Sequence, residues 1–343
     1  MRWARFALAL SSLLGLASCT SARREPEADV TLVLAAYSAS RDAFERAILP
    51  AFQAQHEART GKRLRVRASY LASGAQSRAV ASGFPADVVV LALAPDVTRL
   101  EKEKLITHDW RKRGRRGAFT TSVVALAVRP GNPKGITGFS DLARPGLDVL
   151  MPNPKTSGGA MWNVSALWAS ALRGHAGVAA NDEGAAEGYL RGVLKNVAIA
   201  DKGARESLIT FEKGVGDVAV TYESEVFAGR AAGRTYDMVI PSSTMVVEVM
   251  AAVVDVNAQK HALLPEAEAF VDYLSSNEAQ HMLATYGFRS DDPEVRAAHA
   301  AVFPEVEDPV RIDSLGGWSE VVPKLFGKDG VFPRTWESVY AAP

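Results

Sequence analysis

The stretch MPNPKTSGGAMWNVSALW, Met151 to Trp168, places two prolines, a Thr-Ser pair and two adjacent glycines directly before an apolar helical pattern. No side chain from Thr156 to Ala160 carries a charge. The first turn of a helix nonetheless presents unpaired backbone N–H groups and the positive end of the helix dipole. A helix that starts so bare invites an anion.

Around this stretch the chain alternates short apolar runs with helical patterns, which is the signature of α/β architecture with parallel strands. Val30 to Tyr37 reads as a buried strand, followed by a helix that Ser40 can N-cap, with Phe44, Ile48 and Phe52 as its inner stripe. Leu64 to Tyr70 alternates as a half-exposed strand, Ser73 to Gln76 opens a short helix, and Ala86 to Leu93 is a buried strand. Thr121 to Val128 is another strand, and the turn cluster Arg129-Pro130-Gly131-Asn132-Pro133 after it marks a crossing into a second domain. There, Asp148 to Met151, Ala198 to Asp201 and Asp217 to Tyr222 read as strands, and Met245 to Val254 suits the return crossing. The part from Pro265 onward reads as helical.

With 343 residues, 48% hydrophobic and 23% charged, the chain suits about two globular domains. Basic and acidic side chains balance at 39 each, so there is no basic excess for nucleic acid to recognise. The first eighteen residues, MRWARFALALSSLLGLAS, combine Arg2 and Arg5 with a short apolar run and read as a signal peptide over 1–18. Leu16-Ala17-Ser18-Cys19 resembles the lipobox of bacterial lipoproteins, which makes Cys19, the single cysteine, the lipidation site, and 19–29 a lipid-anchored tether. The membrane is then reached through the lipid anchor only. No disulfide is possible.

Four segments share one form, a strand followed by small or hydroxyl residues and a helix start: Tyr37 to Ser40, Leu71 to Gly74, Lys155 to Gly159, and Asp201 to Ala204. In open α/β sheets ligands bind at the carboxyl ends of strands, so these loops suggest one cleft.

The runs PADVVVLALAPDVTRLEKEKLI, VRPGNPKGITGFSDLARPGLDVLMPNPKTSGGAMWNVSALW, GARESLITFEKGVGDVAVTYESEV and the late GGW together resemble the periplasmic sulfate-binding proteins of ABC importers. The resemblance runs from about Thr31 to Tyr340. It implies a type II periplasmic binding fold: two α/β lobes joined by crossover strands, with a ligand cleft between them. Lobe 1 would take 30–120 plus 247–343, and lobe 2 would take 121–246. It also implies an anion held by neutral donors, mostly backbone N–H groups, with one serine hydroxyl and one indole. Carried over by position, the serine is Ser73, the paired glycines are Gly158 and Gly159, the alanine is Ala204, and the indole position falls on Tyr222. Ser38 joins them from the first loop. There, members commonly have aspartate and proline and this chain has Ser38 and Ala39. Met161 stands where many have arginine, Leu71-Ala72 where a glycine pair is common, and Tyr222 for the tryptophan.

Each residue also has a plainer role. The glycines could serve helix packing, Ser73 is expected to cap its helix in either case, Arg205 could touch the ligand, support backbone peptides or lie on the surface, and Trp162 and Trp168 fit a core. Glu206 is expected to face solvent in the first turn of its helix, where the dipole favours it. Gly214 to Ala219 matches a relaxed dinucleotide fingerprint but precedes a strand, the wrong context. The histidines at 56, 108, 175, 261, 281 and 299 have no metal-binding spacing, there is no G-x-S-x-G elbow, and the sequon at Asn163 has no meaning in a bacterial lipoprotein.

The reading is a monomeric, lipid-anchored extracytoplasmic protein, without cofactor or metal and not an enzyme, that captures sulfate and delivers it to an ABC importer permease. The alternatives are another tetrahedral oxyanion (thiosulfate, molybdate or phosphate), or an enzyme acting on a sulfated or phosphorylated substrate.

Overall fold

The structure is a computed structural model that describes residues 29–340. The expected signal peptide, Cys19 and nearly all of the tether lie outside the described residues. The strands are β1 (Val30–Tyr37), β2 (Leu64–Leu71), β3 (Val88–Leu91), β4 (Ala118–Val128), β5 (Val149–Leu150), β6 (Val197–Ile199), β7 (Val218–Tyr222), β8 (Asp237–Val239), β9 (Ser243–Val253) and β10 (Asp308–Val310). They follow one hydrogen-bonded path, β2-β1-β3-β9-β4-β7-β5-β6, with β8 on β4 and β10 on β9.

Two strands belong to both halves of that path. The first part of β4 pairs with β9, from Ala118 opposite Met250 to Val123 opposite Val246. From Val124 onward β4 pairs with β7, ending at Val128 opposite Val218. In turn β9 runs from β10 past β4 to β3. These are the crossover strands. The expected boundaries at 120/121 and 246/247 fall inside them, and β4 begins three residues earlier than its apolar run suggested. Layers cover both faces of β4, so all of its residues are buried, as expected for a continuous apolar run.

In the first lobe, Phe44, Ile48 and Phe52 form the buried stripe expected of their helix. Phe52 meets Phe270 edge-on with ring centroids 4.9 Å apart. Ser40 does not cap this helix: its hydroxyl donates to the carbonyl of Tyr37 at 2.8 Å, and no side-chain cap bond forms. Other strand boundaries move by a residue or two. The expected strand Ala86 to Leu93 shortens most, to Val88–Leu91, and the second of the second-lobe strands becomes Val197–Ile199, ahead of the bend at Lys202 and Gly203 that leads into the next helix.

The final helix, Val331–Tyr340, departs from the expected lobe assignment. It packs on the helix Glu183–Lys195 of the second lobe, where Tyr340 donates to the carbonyl of Leu194 at 2.7 Å and Arg334 pairs with Glu187 at 2.7 Å. Assigning all of 247–343 to the first lobe therefore does not hold for this helix.

The glycines of the rejected fingerprint form the turn into β7. Gly214 and Gly216 have φ of +94° and +76°, and the Arg129 guanidinium holds this turn by donating to the carbonyls of Phe211, Val215 and Gly216. A Cβ on Gly216 would lie 2.8 Å from Leu150 Cγ, whereas one on Gly214 would meet open space. Both alanine substitutions carry the left-handed backbone cost of about 1–2 kcal/mol, and Gly216→Ala adds a steric clash. Gly216→Ala should therefore lower the urea midpoint more than Gly214→Ala. Equal shifts would show that Leu150 yields freely.

Candidate functional site

Three helix starts meet where the lobes face each other. The helix Ser73–Ala81 follows β2, Gly158–Leu172 follows β5, and Ala204–Glu212 follows β6. A Cβ on Gly158 would lie 3.2 Å from Ser73 Cβ, and one on Gly203 would lie 3.1 Å from Ala72 Cβ. The lobes are therefore closed on each other. A Cβ on Gly159 would lie 3.0 Å from Ala204 Cβ, 3.1 Å from the Tyr222 hydroxyl oxygen and 3.2 Å from Ser157 Oγ. Ser73, Gly158, Gly159, Ala204 and Tyr222 thus come together. Their first-turn N–H groups have no intrahelical acceptor. Ser38 stands apart from this cluster. It lines an adjoining cavity of about 320 Å³ with Asp42, Tyr70, Arg205, Glu206 and Glu225.

Ser73 is not a cap. Ala72 occupies that position, and the Ser73 hydroxyl donates to Asp96 Oδ2 at 2.6 Å while accepting the N–H of Ala92 at 2.9 Å. Its proton is engaged, so what Ser73 can offer an anion is its backbone N–H. The free hydroxyl is at Ser157, a residue the sequence reading passed over. It N-caps its helix by accepting the Ala160 N–H at 3.3 Å, and its own proton has no acceptor among the described hydrogen bonds. The available signal was a serine immediately before Gly-Gly at a helix start.

Tyr222 is 1% exposed, and its hydroxyl is buried without a hydrogen-bond partner among the described residues. Buried hydroxyls are nearly always paired, so an orphan beside two open helix starts is the kind of atom that a ligand satisfies. Burial, with smaller contributions from Tyr37, Glu225 and Asp96, holds its pKa well above the usual phenol value. It therefore stays protonated and able to donate.

Charge at the site is arranged in pairs. Asp96 is 3% exposed, and burial raises its pKa against the opposing pull of Ser73 and Arg99. Arg99 Nη1 reaches its carboxylate at 3.0 Å. Arg205 lies between the lobes, bonded to buried Glu225 at 3.1 Å and to Asp42 of the first lobe at 3.5 Å. Burial pushes the Glu225 carboxyl up to about 7, opposed by Arg205 and reinforced by Asp42 and Glu206. Glu206 does not face solvent as expected. Its side chain folds back over its own helix start, where Oε2 is buried without a partner among the described residues and lies 2.3 Å from a Cβ placed on Gly203. A carboxylate in the third helical position reaches back toward the N-terminal dipole, and here the absent Gly203 side chain leaves room for it.

Trp162 and Trp168 are core residues, at 0% and 2% exposed. The Trp162 indole donates to the carbonyl of Ala92 at 2.7 Å, and Trp318 of the late GGW meets it edge-on at 4.7 Å. Asn163, from the sequon, is buried with its amide donating to Val220. Among the described residues there is no group of three potential metal ligands, and no helix is long and apolar enough to cross a membrane. The assembled features are convergent neutral donors with no unpaired cation among them, an arrangement that can dehydrate and hold an oxyanion.

Comparison with known proteins agrees with this geometry. The family model of bacterial extracellular solute-binding proteins matches residues 32–289. The sulfate-binding protein of Synechococcus elongatus is 38% identical over 97% of this chain and 95% of its own. The thiosulfate-binding protein of Escherichia coli is 34% identical over 87% of this chain and 89% of its own. The solved sulfate-binding protein SubI of Mycobacterium tuberculosis superposes with a TM-score of 0.80 at 36% identity, covering 87% of this chain and 99% of that one. With a two-lobed fold, a cleft of helix starts and relatives matched over nearly their full length, the chain belongs to the bacterial extracellular solute-binding proteins.

Proposed function

We propose that this protein captures sulfate in the cleft and delivers it to an ABC importer, without chemical turnover and from a lipid anchor at Cys19. The observation that carries this reading is the buried, unpartnered Tyr222 hydroxyl beside the N–H groups of Gly159 and Ala204. A fully ionised sulfate has only acceptor atoms, so donors alone can satisfy it. In this reading the N–H groups of Ser73, Gly158, Gly159 and Ala204 supply most contacts, and Tyr222 and Ser157 add two hydroxyls. Ser38 serves at the rim. Thiosulfate is the second reading, favoured by the similarity to a thiosulfate-binding protein.

Calorimetric titration of the lipid-free chain against sulfate, thiosulfate, molybdate and phosphate tests the ligand. Sulfate should bind most tightly, and phosphate at least about tenfold more weakly, since its remaining proton meets the donors of the helix starts and Tyr222; phosphate binding as tightly as sulfate would show that the inward Glu206 carboxylate accepts that proton. In the same assay Tyr222→Phe removes a donor to a charged acceptor, a contribution of roughly 1.5–3 kcal/mol, so sulfate affinity should fall about tenfold to hundredfold. Unchanged affinity in a folded variant would remove Tyr222 from the site.

Glu225 gives a pH dependence. Its pKa near 7 is already raised in the folded chain, and a dianion bound nearby raises it further by repulsion. Binding should therefore take up protons around neutrality, and sulfate affinity should rise as the pH falls from about 8 to about 6. Glu225→Gln should flatten that profile. A profile that keeps its slope in Glu225→Gln would assign the titration elsewhere.

The anchor is tested separately. Cys19→Ala should shift the protein from the membrane fraction to the soluble fraction, and continued sedimentation with membranes would eliminate the lipid at Cys19.

A further inference from the structure

Next to Tyr222 is Glu223, which is fully buried. A carboxylate in such a place is costly unless paired. Arg289 pairs with it through two parallel bonds, Nε to Oε2 at 2.6 Å and Nη2 to Oε1 at 2.8 Å. The guanidinium also donates to the carbonyl of Pro304 at 2.6 Å and lies 5.1 Å from the Phe303 ring centroid. The main chain of Arg289 is held to β4, since its N–H donates to the carbonyl of Thr121 at 2.7 Å and its carbonyl accepts the Thr121 N–H at 2.9 Å. The hydroxyls of Thr120 and Thr121 donate to the same carbonyl at 3.0 and 3.1 Å.

The two partners sit on opposite sides of the hinge. Arg289 follows the helix Asn277–Thr285, which belongs to the first lobe, where Gln280 donates to the carbonyl of Phe119 at 2.8 Å. Glu223 opens the helix Glu223–Ala231 of the second lobe. Between them runs the point at which β4 changes partners, with Val124 opposite Tyr222 and the Ser224 N–H donating to Ser122 Oγ at 3.2 Å. The backbone on both sides of Tyr222 is thus tied to β4, and the side chain that follows it is tied to the other lobe.

We propose that Arg289 and Glu223 are positioning residues for anion capture: their bidentate pair across the hinge fixes the turn at Tyr222 and aims its hydroxyl at the helix starts of Gly159 and Ala204. A two-bond fork sets direction as well as strength, which a single contact does not. The inference rests on the donor reading of Tyr222. Neither Arg289 nor Glu223 belongs to the cluster of helix starts, so an effect on binding has to pass through that turn.

The test is a double-mutant cycle read by sulfate calorimetry on the whole chain, with wild type, Glu223→Gln, Tyr222→Phe and the double variant. Glu223→Gln should weaken sulfate about fivefold or more, yet less than about twofold when Tyr222 is already Phe, because no hydroxyl is left to aim. Arg289→Lys keeps the charge and loses the fork, so it should match Glu223→Gln and serves in its place if that variant does not fold. Equal losses in both Tyr222 backgrounds would overturn the proposal and leave the pair a purely structural role. Wild-type affinity in both Glu223→Gln and Arg289→Lys would overturn it as well. If Tyr222→Phe alone binds sulfate like wild type, the donor reading fails first, and the positioning role falls with it.

Discussion

The structure depends on one constraint: β4 must hydrogen-bond to β9 along its first half and to β7 along its second. A strand shared by two sheets is covered on both faces, so it tolerates no charge along its length, and the same condition keeps Glu248 as the one partly exposed residue of β9. Sharing the strand also settles where the cleft lies. The loops that follow β2, β5 and β6 are brought face to face because the sheets on which they ride are joined through the same two strands.

Within the cleft, charge is neutralised locally before any ligand enters. Asp96 is answered by Arg99 and Glu225 by Arg205, so the carboxylates around the seat are matched by guanidinium groups that are themselves occupied. What remains for an anion is a set of peptide dipoles and hydroxyls. Such donors can hold a dehydrated dianion without a locked ion pair, which suits a protein that releases its cargo to an importer. Glu206 is the exception, a carboxylate oxygen folded against a helix start without a donor of its own among the described residues.

What could be read in advance follows the range of the interactions involved. β1 and β7 were legible because strands buried mostly on both faces write a nearly continuous apolar run, and the helix start at Gly158-Gly159 because a bare helix start is a local pattern. The Ser73 hydroxyl was not, since its fate depends on Asp96, brought beside it by a different βα unit. Ser40 failed as a cap for the opposite reason: the chain is already helical before it, with Ser38–Ser40 in a 3-10 turn and Ser40 itself in the right-handed helical region, where its hydroxyl donates back to the Tyr37 carbonyl. The position of the last helix had no local signal at all, because an amphipathic segment shows which face it buries and not which lobe receives it.

That last helix changes the mechanics of the molecule. After Asp313, which pairs with Arg116 of the first lobe, the chain passes to Lys324, which pairs with Glu183 of the second, and ends on the helix Glu183–Lys195. Besides the two crossover strands, this C-terminal segment therefore also joins the lobes. Two adjacent strands define an axis about which a body can both bend and twist. The third span runs beside β9, to which it is tied by β10 and by the Arg311–Glu248 pair, so it thickens the hinge on one side and adds a covalent restraint on how far the lobes can twist apart.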